Sequence, residues 1–323
     1  MRRLLKFLAL VLAVLLITAV LLGGISAVRF YSPVAEEKPC QGCTGDASLV
    51  RIDGFGLYYR EIGSDNAGVP IVVIHGGPGH SSESFHRSLD FLAEEYRVVY
   101  YDQRGSGHSE IKPDPSFYTI EALVYELDTL RREVIASDRI ILLAHSAGGA
   151  LAQRYALAHP GNVSELVLVS SVSVNNCVSA PLLWDSITPV LFALGPGLPP
   201  SDPAQANAWF GRVLIDTSVP RLFDPSDKAI LQESGTVSFV TWREVSRSLE
   251  GSDYQDALTN LSAPTLATFG VADGPTTGRQ VASSFCDLLP DCQLVEFQQS
   301  GHWPFLEEPE RFAQVVLAFL AGQ

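Results

Sequence analysis

The fold is decided by residues 139–150, which read RIILLAHSAGGA. Ile140 to Ala144 is an unbroken apolar run led by β-branched residues, which predicts a strand buried on both faces of a sheet. Ser146 follows this run, with the small residues Ala144 and Gly148 two positions before and after it, and the chain beyond has the pattern of a helix. Because a strand that turns sharply into a helix brings two backbones close together, only small side chains fit there. The stretch therefore predicts an elbow that holds Ser146 Oγ above the strand end and directs the Ala147 N–H toward an oxyanion.

Short apolar strands alternate with helices on both sides of this elbow. Residues 71–74 and 97–101 read as buried strands, and helical patterns separate them from each other and from the elbow strand. The alternation predicts a mostly parallel sheet flanked by helices. Right-handed crossovers then place the carboxyl ends of the strands along one edge of the sheet, where sites form. His75, Asp102 and Ser146 all fall at such ends.

Two loops near the C-terminus carry the groups that a serine nucleophile needs. Asp273 lies in residues 270–274, after a strand that begins near Pro264, and His302 follows the last predicted strand. Serine is a poor nucleophile at neutral pH, so it requires a base and a group that orients that base. We therefore expect Ser146, Asp273 and His302 to form a catalytic triad with His302 as the base, in the chain order typical of strand-end triads.

The glycines after the strand at residues 71–74 suggest a second part of the site. Residues 75–79 read HGGPG, and a loop without Cβ atoms lets a backbone N–H approach a substrate carbonyl. The N–H groups of Gly77 and Ala147 are expected to form an oxyanion hole. Gly76, which precedes Gly77, and Trp303, which follows His302, are candidate substrate contacts. A plain Gly-Pro turn is the alternative interpretation of this loop.

The N-terminus has the pattern of a membrane segment. Residues 7–28 carry no charge and would form a helix of about 33 Å, enough to cross a bilayer core of about 30 Å. Arg2, Arg3 and Lys6 precede it, which predicts a cytoplasmic N-terminus with the rest of the chain outside. Residues 24–26, Gly-Ile-Ser, would also serve as a signal-cleavage site, so a secreted protein is the alternative. Both interpretations export the catalytic part.

The net charge and the cysteine content indicate which kinds of partner and which cellular compartment fit this chain. The net charge of −14 argues against a nucleic-acid partner and favours an acidic, soluble surface. Five cysteines fit an oxidising compartment, and Cys286 lies close enough to Cys292 in sequence to bridge a helix end and the next strand. Neither a metal nor a cofactor is expected, since the Cys40–Cys43 pair has no second pair and no G-x-G-x-x-G follows the first strand.

The alternation of strands and helices stops between residue 173 and residue 262, where prolines interrupt amphipathic pieces. This change predicts a helical lid inserted into the sheet domain. The expected organisation is an anchor or signal at 1–28, a linker at 29–48, a core at 49–172 and 263–323, and the lid at 173–262.

Four motifs, occurring in order, resemble the α/β-hydrolase superfamily, and most resemble its proline-iminopeptidase-like branch of serine peptidases. The motifs are residues 75–79, residues 101–109 (YDQRGSGHS), the elbow around Ser146, and Gly301-His302 followed by residues 305–309 (FLEEP). The resemblance covers residues 49–172 and 263–321 and implies the α/β-hydrolase fold. It also implies lid glutamates that meet the substrate's free α-amine; Glu244 is the candidate here, with Arg243 beside it. The elbow departs from the Gly-Gly-Ser-Trp-Gly of that branch.

These observations predict an exported serine hydrolase that cleaves a small ester or amide through an acyl-enzyme. An aminopeptidase of the proline-iminopeptidase type is one form of this activity. A carboxylesterase or lactonase with a preference for apolar acyl groups is the alternative, and a catalytically silent, membrane-tethered binding module on the same fold is another. The expected partners are a small-molecule or peptide substrate and the membrane.

Overall fold

The computed structural model describes residues 24–28, 30–31, 47–172, 192–195, 197–200, 202–231, 237–249 and 254–322. Within these ranges the chain forms one eight-stranded sheet with helices on both sides. The strands are β1 (Ala47–Ile52), β2 (Phe55–Ile62), β3 (Ile71–Ile74), β4 (Val98–Tyr101), β5 (Ile140–His145), β6 (Val163–Val169), β7 (Thr265–Gly270) and β8 (Cys292–Phe297).

Most of the helices lie in the connections between these strands, and the last two follow β8. They are α1 (Glu83–Leu89), α2 (Ile120–Thr129), α3 (Ala147–Ala158), α4 (Pro203–Ser218), α5 (Phe239–Leu249), α6 (Gln255–Leu258), α7 (Arg279–Cys286), α8 (Pro304–Glu307) and α9 (Pro309–Ala321). Helix α2 begins at a Thr119 cap, whose hydroxyl accepts the Ala122 N–H, and it continues into a wider turn over Leu130–Ile135.

The sheet runs in the order β1-β2-β4-β3-β5-β6-β7-β8. The pairs β1–β2 and β2–β4 are antiparallel, and every later pair is parallel. Ile74 at the end of β3 pairs with Tyr101 on one side and with Ala144 on the other, so three strands end at the same edge. The predicted, mostly parallel sheet flanked by helices is confirmed.

Two hydrophobic layers cover the sheet because its central strands are apolar along their whole length. All residues of β3, β4 and β5 are buried. On one face the strands pack against helices α2 and α3, through residues such as Leu127 and Leu151. On the other face they pack against helices α1 and α9, through residues such as Phe85 and Phe312. Burial on both faces fixes the strand ends, and hence the loops that follow them.

Helices α4 and α5 belong to residues 202–231 and 237–249, which we call the α4–α5 segment. Four of its aromatic residues, Trp209, Phe210, Phe239 and Trp242, form a third cluster together with Phe30, which is fully buried. The cluster contains Phe30, Tyr31, Phe192, Trp209, Phe210, Phe239 and Trp242. Part of the stretch expected to be a linker is therefore packed into this cluster. Removing a large aromatic side chain from water lowers the free energy of the folded state.

Several expectations concern residues that the structure leaves undescribed. The anchor or signal at 1–28 has only residues 24–28 described, and the boundary at 173 lies outside the described residues. Within the described part of the chain, no helix has both the length and the apolar character to span a bilayer. The N-terminal segment and the limits of the lid stay predictions.

Candidate active site

Ser146 sits in a strained turn between β5 and α3. Its backbone has φ 53° and ψ −123°, a conformation that a non-glycine residue adopts only where the surrounding structure enforces it. The Ser146 N–H donates to the carbonyl of Val169 at 3.0 Å, which ties the turn to β6. A Cβ on Gly148 would lie 2.5 Å from the carbonyl oxygen of His75. Glycine is thus required there, and the turn has the geometry of the predicted elbow.

Asp273 and His302 meet at the carboxyl ends of β7 and β8. His302 Nδ1 lies 3.1 Å from Asp273 Oδ1 and 3.2 Å from Oδ2, and both side chains are almost completely buried. Asp273 Oδ1 also accepts hydrogen bonds from the Gly274 N–H and the Thr277 hydroxyl. Burial by itself would raise the pKa of the Asp273 carboxyl, but His302, Arg221 and Thr277 together hold that pKa well below its usual value. Asp273 is therefore an anion that can orient the imidazole.

His302 is held by its main chain as well as by Asp273. Its N–H donates to the carbonyl of Arg221 at 2.8 Å, and its own carbonyl accepts from His145 Nε2 at 2.9 Å. Burial lowers the pKa of His302, Arg221 lowers it further, and Asp273 opposes both effects. The imidazole is consequently neutral near pH 7, which is the state that a general base requires.

Arg221 is a member of this cluster that the sequence analysis did not identify. It ends the short 3₁₀ turn Val219–Arg221 that follows α4, and its Nη2 lies 3.1 Å from Asp273 Oδ1 and 2.7 Å from His302 Nδ1. The same Nη2 donates to Thr277 Oγ1 at 2.6 Å. Arg221 lies between prolines in an irregular stretch, and no local pattern points to it; only the folded chain brings it to Asp273.

The loop after β3 has the shape expected of an oxyanion loop. Gly77 has φ +102°, and a Cβ at this position would overlap the ring of His80. His75 is fully buried, its Nε2 accepts the Gln103 N–H, and its Nδ1–H therefore donates to the carbonyl of Gly76 at 3.0 Å. Burial lowers the pKa of His75 to about 4, so this residue braces the loop as a neutral imidazole.

A cavity of about 270 Å³ connects these parts. Ser146, His302, Gly77 and Ala147 line it, as do the candidate substrate contacts Gly76 and Trp303. The α4–α5 segment also lines it, with the apolar residues Leu214, Ile215, Leu231, Val237 and Trp242 and with the polar or charged residues Ser218, Arg221 and Ser246. Among the described lining residues none carries a carboxylate, and in the described part of the chain no group of His, Cys, Asp or Glu is arranged to hold a metal ion.

The structure does not bring Glu244 to this cavity. Its carboxylate accepts a hydrogen bond from Arg243 Nε at 2.6 Å, and its side chain is only 11 % exposed. Arg243 is itself buried and donates through Nη1 to the carbonyl of Phe30. The carboxylate is therefore engaged in neutralising a buried cation, and the expectation that Glu244 meets the substrate amine finds no support in the geometry.

Comparison with known proteins finds a family and named relatives that this chain resembles. A family model described as "alpha/beta hydrolase fold" matches residues 69–309. A proline iminopeptidase of Lactobacillus helveticus is 31% identical over 285 residues, covering 83% of this chain and 95% of the relative. A proline iminopeptidase of Saccharolobus solfataricus is 28% identical over 286 residues, covering 84% of this chain and 90% of the relative.

Solved structures agree on the fold. The enol-lactonase of Burkholderia xenovorans LB400 superposes with a TM-score of 0.68 at 20% identity, covering 85% of this chain and 100% of that chain. The proline iminopeptidase of Mycobacterium smegmatis superposes with a TM-score of 0.63 at 21% identity, covering 85% of this chain and 98% of that chain. At such identities the likeness supports the fold alone.

Proposed function

This chain belongs to the α/β-hydrolase family, on its proline-iminopeptidase-like side, and we propose that it is an exported serine hydrolase that cleaves a small ester or amide through an acyl-enzyme. The observation that carries the proposal is the neutral, buried imidazole of His302, which lies within hydrogen-bond distance of Asp273 and on the wall of the same cavity as Ser146. A silent binding module would have no need for a base held in this way.

The chemistry follows from the positions of these groups. His302 Nε2 removes the Ser146 proton as Oγ attacks the substrate carbonyl, and the oxyanion that forms accepts hydrogen bonds from the Gly77 and Ala147 N–H groups. The imidazolium then returns the proton to the leaving alcohol or amine. A water molecule attacks the acyl-enzyme in the same manner and releases the acid, while Asp273 orients the ring throughout.

Two substrate classes compete within this proposal. The curated relatives named above are proline iminopeptidases, which favours an N-terminal aminopeptidase. The cavity wall favours a carboxylesterase or lactonase, because the described lining has no carboxylate and Glu244 is bound to Arg243. A substrate's α-ammonium group requires a carboxylate or several acceptors, and an uncharged acyl group requires neither.

The first experiment compares hydrolysis of proline p-nitroanilide with hydrolysis of p-nitrophenyl butyrate by the full chain, with Ser146→Ala as the control. Turnover of the anilide, lost when its α-amine is acylated, would establish an aminopeptidase. Turnover of the ester alone would establish an esterase. Absence of both activities together with absence of fluorophosphonate labelling at Ser146 would refute a serine hydrolase and support the silent binding module.

Export and anchoring are part of the proposal. The apolar run at residues 7–28 supports an anchor, and a disulfide between Cys286 and Cys292 supports an oxidising compartment. In this arrangement the α4–α5 segment acts as the lid. Extraction of membranes with alkaline carbonate tests the anchor: the full chain should remain in the pellet, and its appearance in the culture medium would indicate a cleaved signal instead.

A further inference from the structure

Arg221, which belongs to the α4–α5 segment, contacts both Asp273 and His302. Its Nη2 lies within hydrogen-bond distance of three groups: Asp273 Oδ1 at 3.1 Å, Thr277 Oγ1 at 2.6 Å and His302 Nδ1 at 2.7 Å. The Arg221 side chain is about 30% exposed and lies on the wall of the cavity. A permanent cation thus contacts both members of the pair that controls the base.

The contact with Nδ1 conflicts with the tautomer that the mechanism requires. A base that faces Ser146 through a free Nε2 must carry its proton on Nδ1 and donate it to Asp273. Guanidinium nitrogens can only donate, so Nδ1 can pair with Arg221 only through its lone pair. That pairing places the imidazole proton on Nε2, where the ring cannot accept the Ser146 proton.

We propose that Arg221 is a positioning residue that sets the tautomer and the basicity of His302. The position of the α4–α5 segment then controls whether His302 Nε2 can accept the Ser146 proton. The guanidinium competes with the Nδ1–H for Asp273 Oδ1 when it is seated as described. Movement of the segment that withdraws Arg221 leaves His302 as the donor to Asp273. This inference rests on the proposed function, since it assumes that His302 is the base for Ser146.

The charged and titratable groups around His302 determine the pH at which its imidazole is protonated. Asp273 faces Nδ1 from the loop after β7, and Arg221 faces it from the turn after α4. The ring of His145 lies 4.6 Å from that of His302, and burial lowers its pKa well below the usual value. His80 is neutral for the same reason, with a pKa lowered to about 4.

Glu307, on α8, is the remaining acid near the pair. It accepts the N–H groups of Gly301 and Trp303, and burial raises its pKa. Because the neighbouring imidazoles are neutral, Arg221 is the cation that opposes protonation of His302 among the described groups. Removing its charge must raise the pKa of the imidazole.

The side chain of Arg221 can be changed without removing the main-chain support of His302. The Arg221 carbonyl accepts the His302 N–H, and Gly301 packs directly against this carbonyl, so these contacts do not depend on the side chain. Arg221→Met removes charge and donors, and Arg221→Lys keeps the charge. Arg51→Met is the matched control, because Arg51 lies on β1 with its side chain 69% exposed.

The experiment measures the pH dependence of kcat/KM for p-nitrophenyl butyrate, and titrates the histidine rings of the full chain by ¹⁵N NMR. We expect Arg221→Met to move both the acid limb of kcat/KM and the titration of His302 to higher pH. The same variant should increase the fraction of the Nδ1–H tautomer. Arg221→Lys and Arg51→Met should stay near the wild type in all three measurements. Superimposable wild-type and Arg221→Met titrations would overturn the proposal, as would an equal shift in Arg221→Lys or Arg51→Met. If the wild type is inactive, the proposed function fails, and the NMR titration still decides the role of Arg221.

Discussion

The guanidinium of Arg243 donates a hydrogen bond of 2.6 Å to the main-chain carbonyl of Phe30, a residue 213 positions away in the sequence. The ring of Phe30 packs edge-on against Phe192 and Phe239, with centroids 5.2 and 5.4 Å away. A second nitrogen of the same guanidinium holds Glu244. Phe30, which precedes the sheet domain in the sequence, is thereby packed into the aromatic cluster of the α4–α5 segment.

Replacing Phe30 by alanine should destabilise the protein by about 3 kcal/mol, because large-to-small changes of buried aromatic residues leave a cavity. Phe30 is fully buried, whereas Phe223 is 48 % exposed. Urea unfolding of Phe30→Ala and Phe223→Ala measures the difference, and the second variant should lose less than about 0.5 kcal/mol. Equal stabilities of the two variants would show that Phe30 does not support the aromatic cluster.

Asp273→Asn should reduce kcat by about 10⁴-fold, because the amide stabilises the wrong tautomer of His302. Asp287 is the matched control, because it is an exposed aspartate at the end of α7. Steady-state hydrolysis by Asp273→Asn and Asp287→Asn checks the assignment. Comparable losses in the two variants would rule out Asp273 as the orienting group.

Gly77→Ala should reduce kcat by about 10²- to 10³-fold, the usual effect of losing one donor to the oxyanion. A Cβ at Gly77 would overlap the ring of His80, so the loop and its N–H must move. Gly68 has a comparable φ of +113° but nothing within 4 Å of its Cβ position. In a kinetic comparison Gly68→Ala should keep wild-type kcat, and a similar loss in both variants would assign the effect to backbone strain alone.

The acid limb of kcat/KM should lie below pH 6.5, the usual pKa of a histidine. Burial and Arg221 lower the pKa of His302, so the base stays neutral as the pH falls through 6.5 and is protonated only at lower pH. Activity is full above this range and is lost on acidification through the lowered pKa. A profile of kcat/KM between pH 4 and 8 measures it, and a midpoint at or above 6.5 would contradict the electrostatic assignment.

The elbow could be predicted because its constraints are local. Ala144, Ser146 and Gly148 are spaced by a few residues, and the close approach of a strand to the helix that follows it dictates their sizes. The strand ends followed from hydrophobic patterning together with the rule that parallel strands share one carboxyl edge. The same rule predicts that Asp273 and His302 lie near Ser146, although it does not predict the distances between their atoms.

Arg221 and Glu244 illustrate what local pattern could not provide. Arg221 stands in an irregular, proline-rich stretch, and its partners lie 52 and 81 residues further along the chain. Glu244 matched the expectation for an amine ligand by its position in the chain, but its neighbour Arg243 is buried and needs a counterion. The Glu244 carboxylate pairs with Arg243 because that guanidinium is buried, and burial is a property of the packed structure.

The sequence by itself determined the α/β architecture, the strained turn at Ser146 and the edge of the sheet where Asp273 and His302 lie, since periodicity and steric size act over a few residues. The tertiary structure alone decided that Phe30 belongs to the aromatic cluster, that Glu244 serves Arg243, and that Arg221 reaches the base. These contacts join segments that no local preference relates, and they form because burial forces each polar group to find a partner within reach.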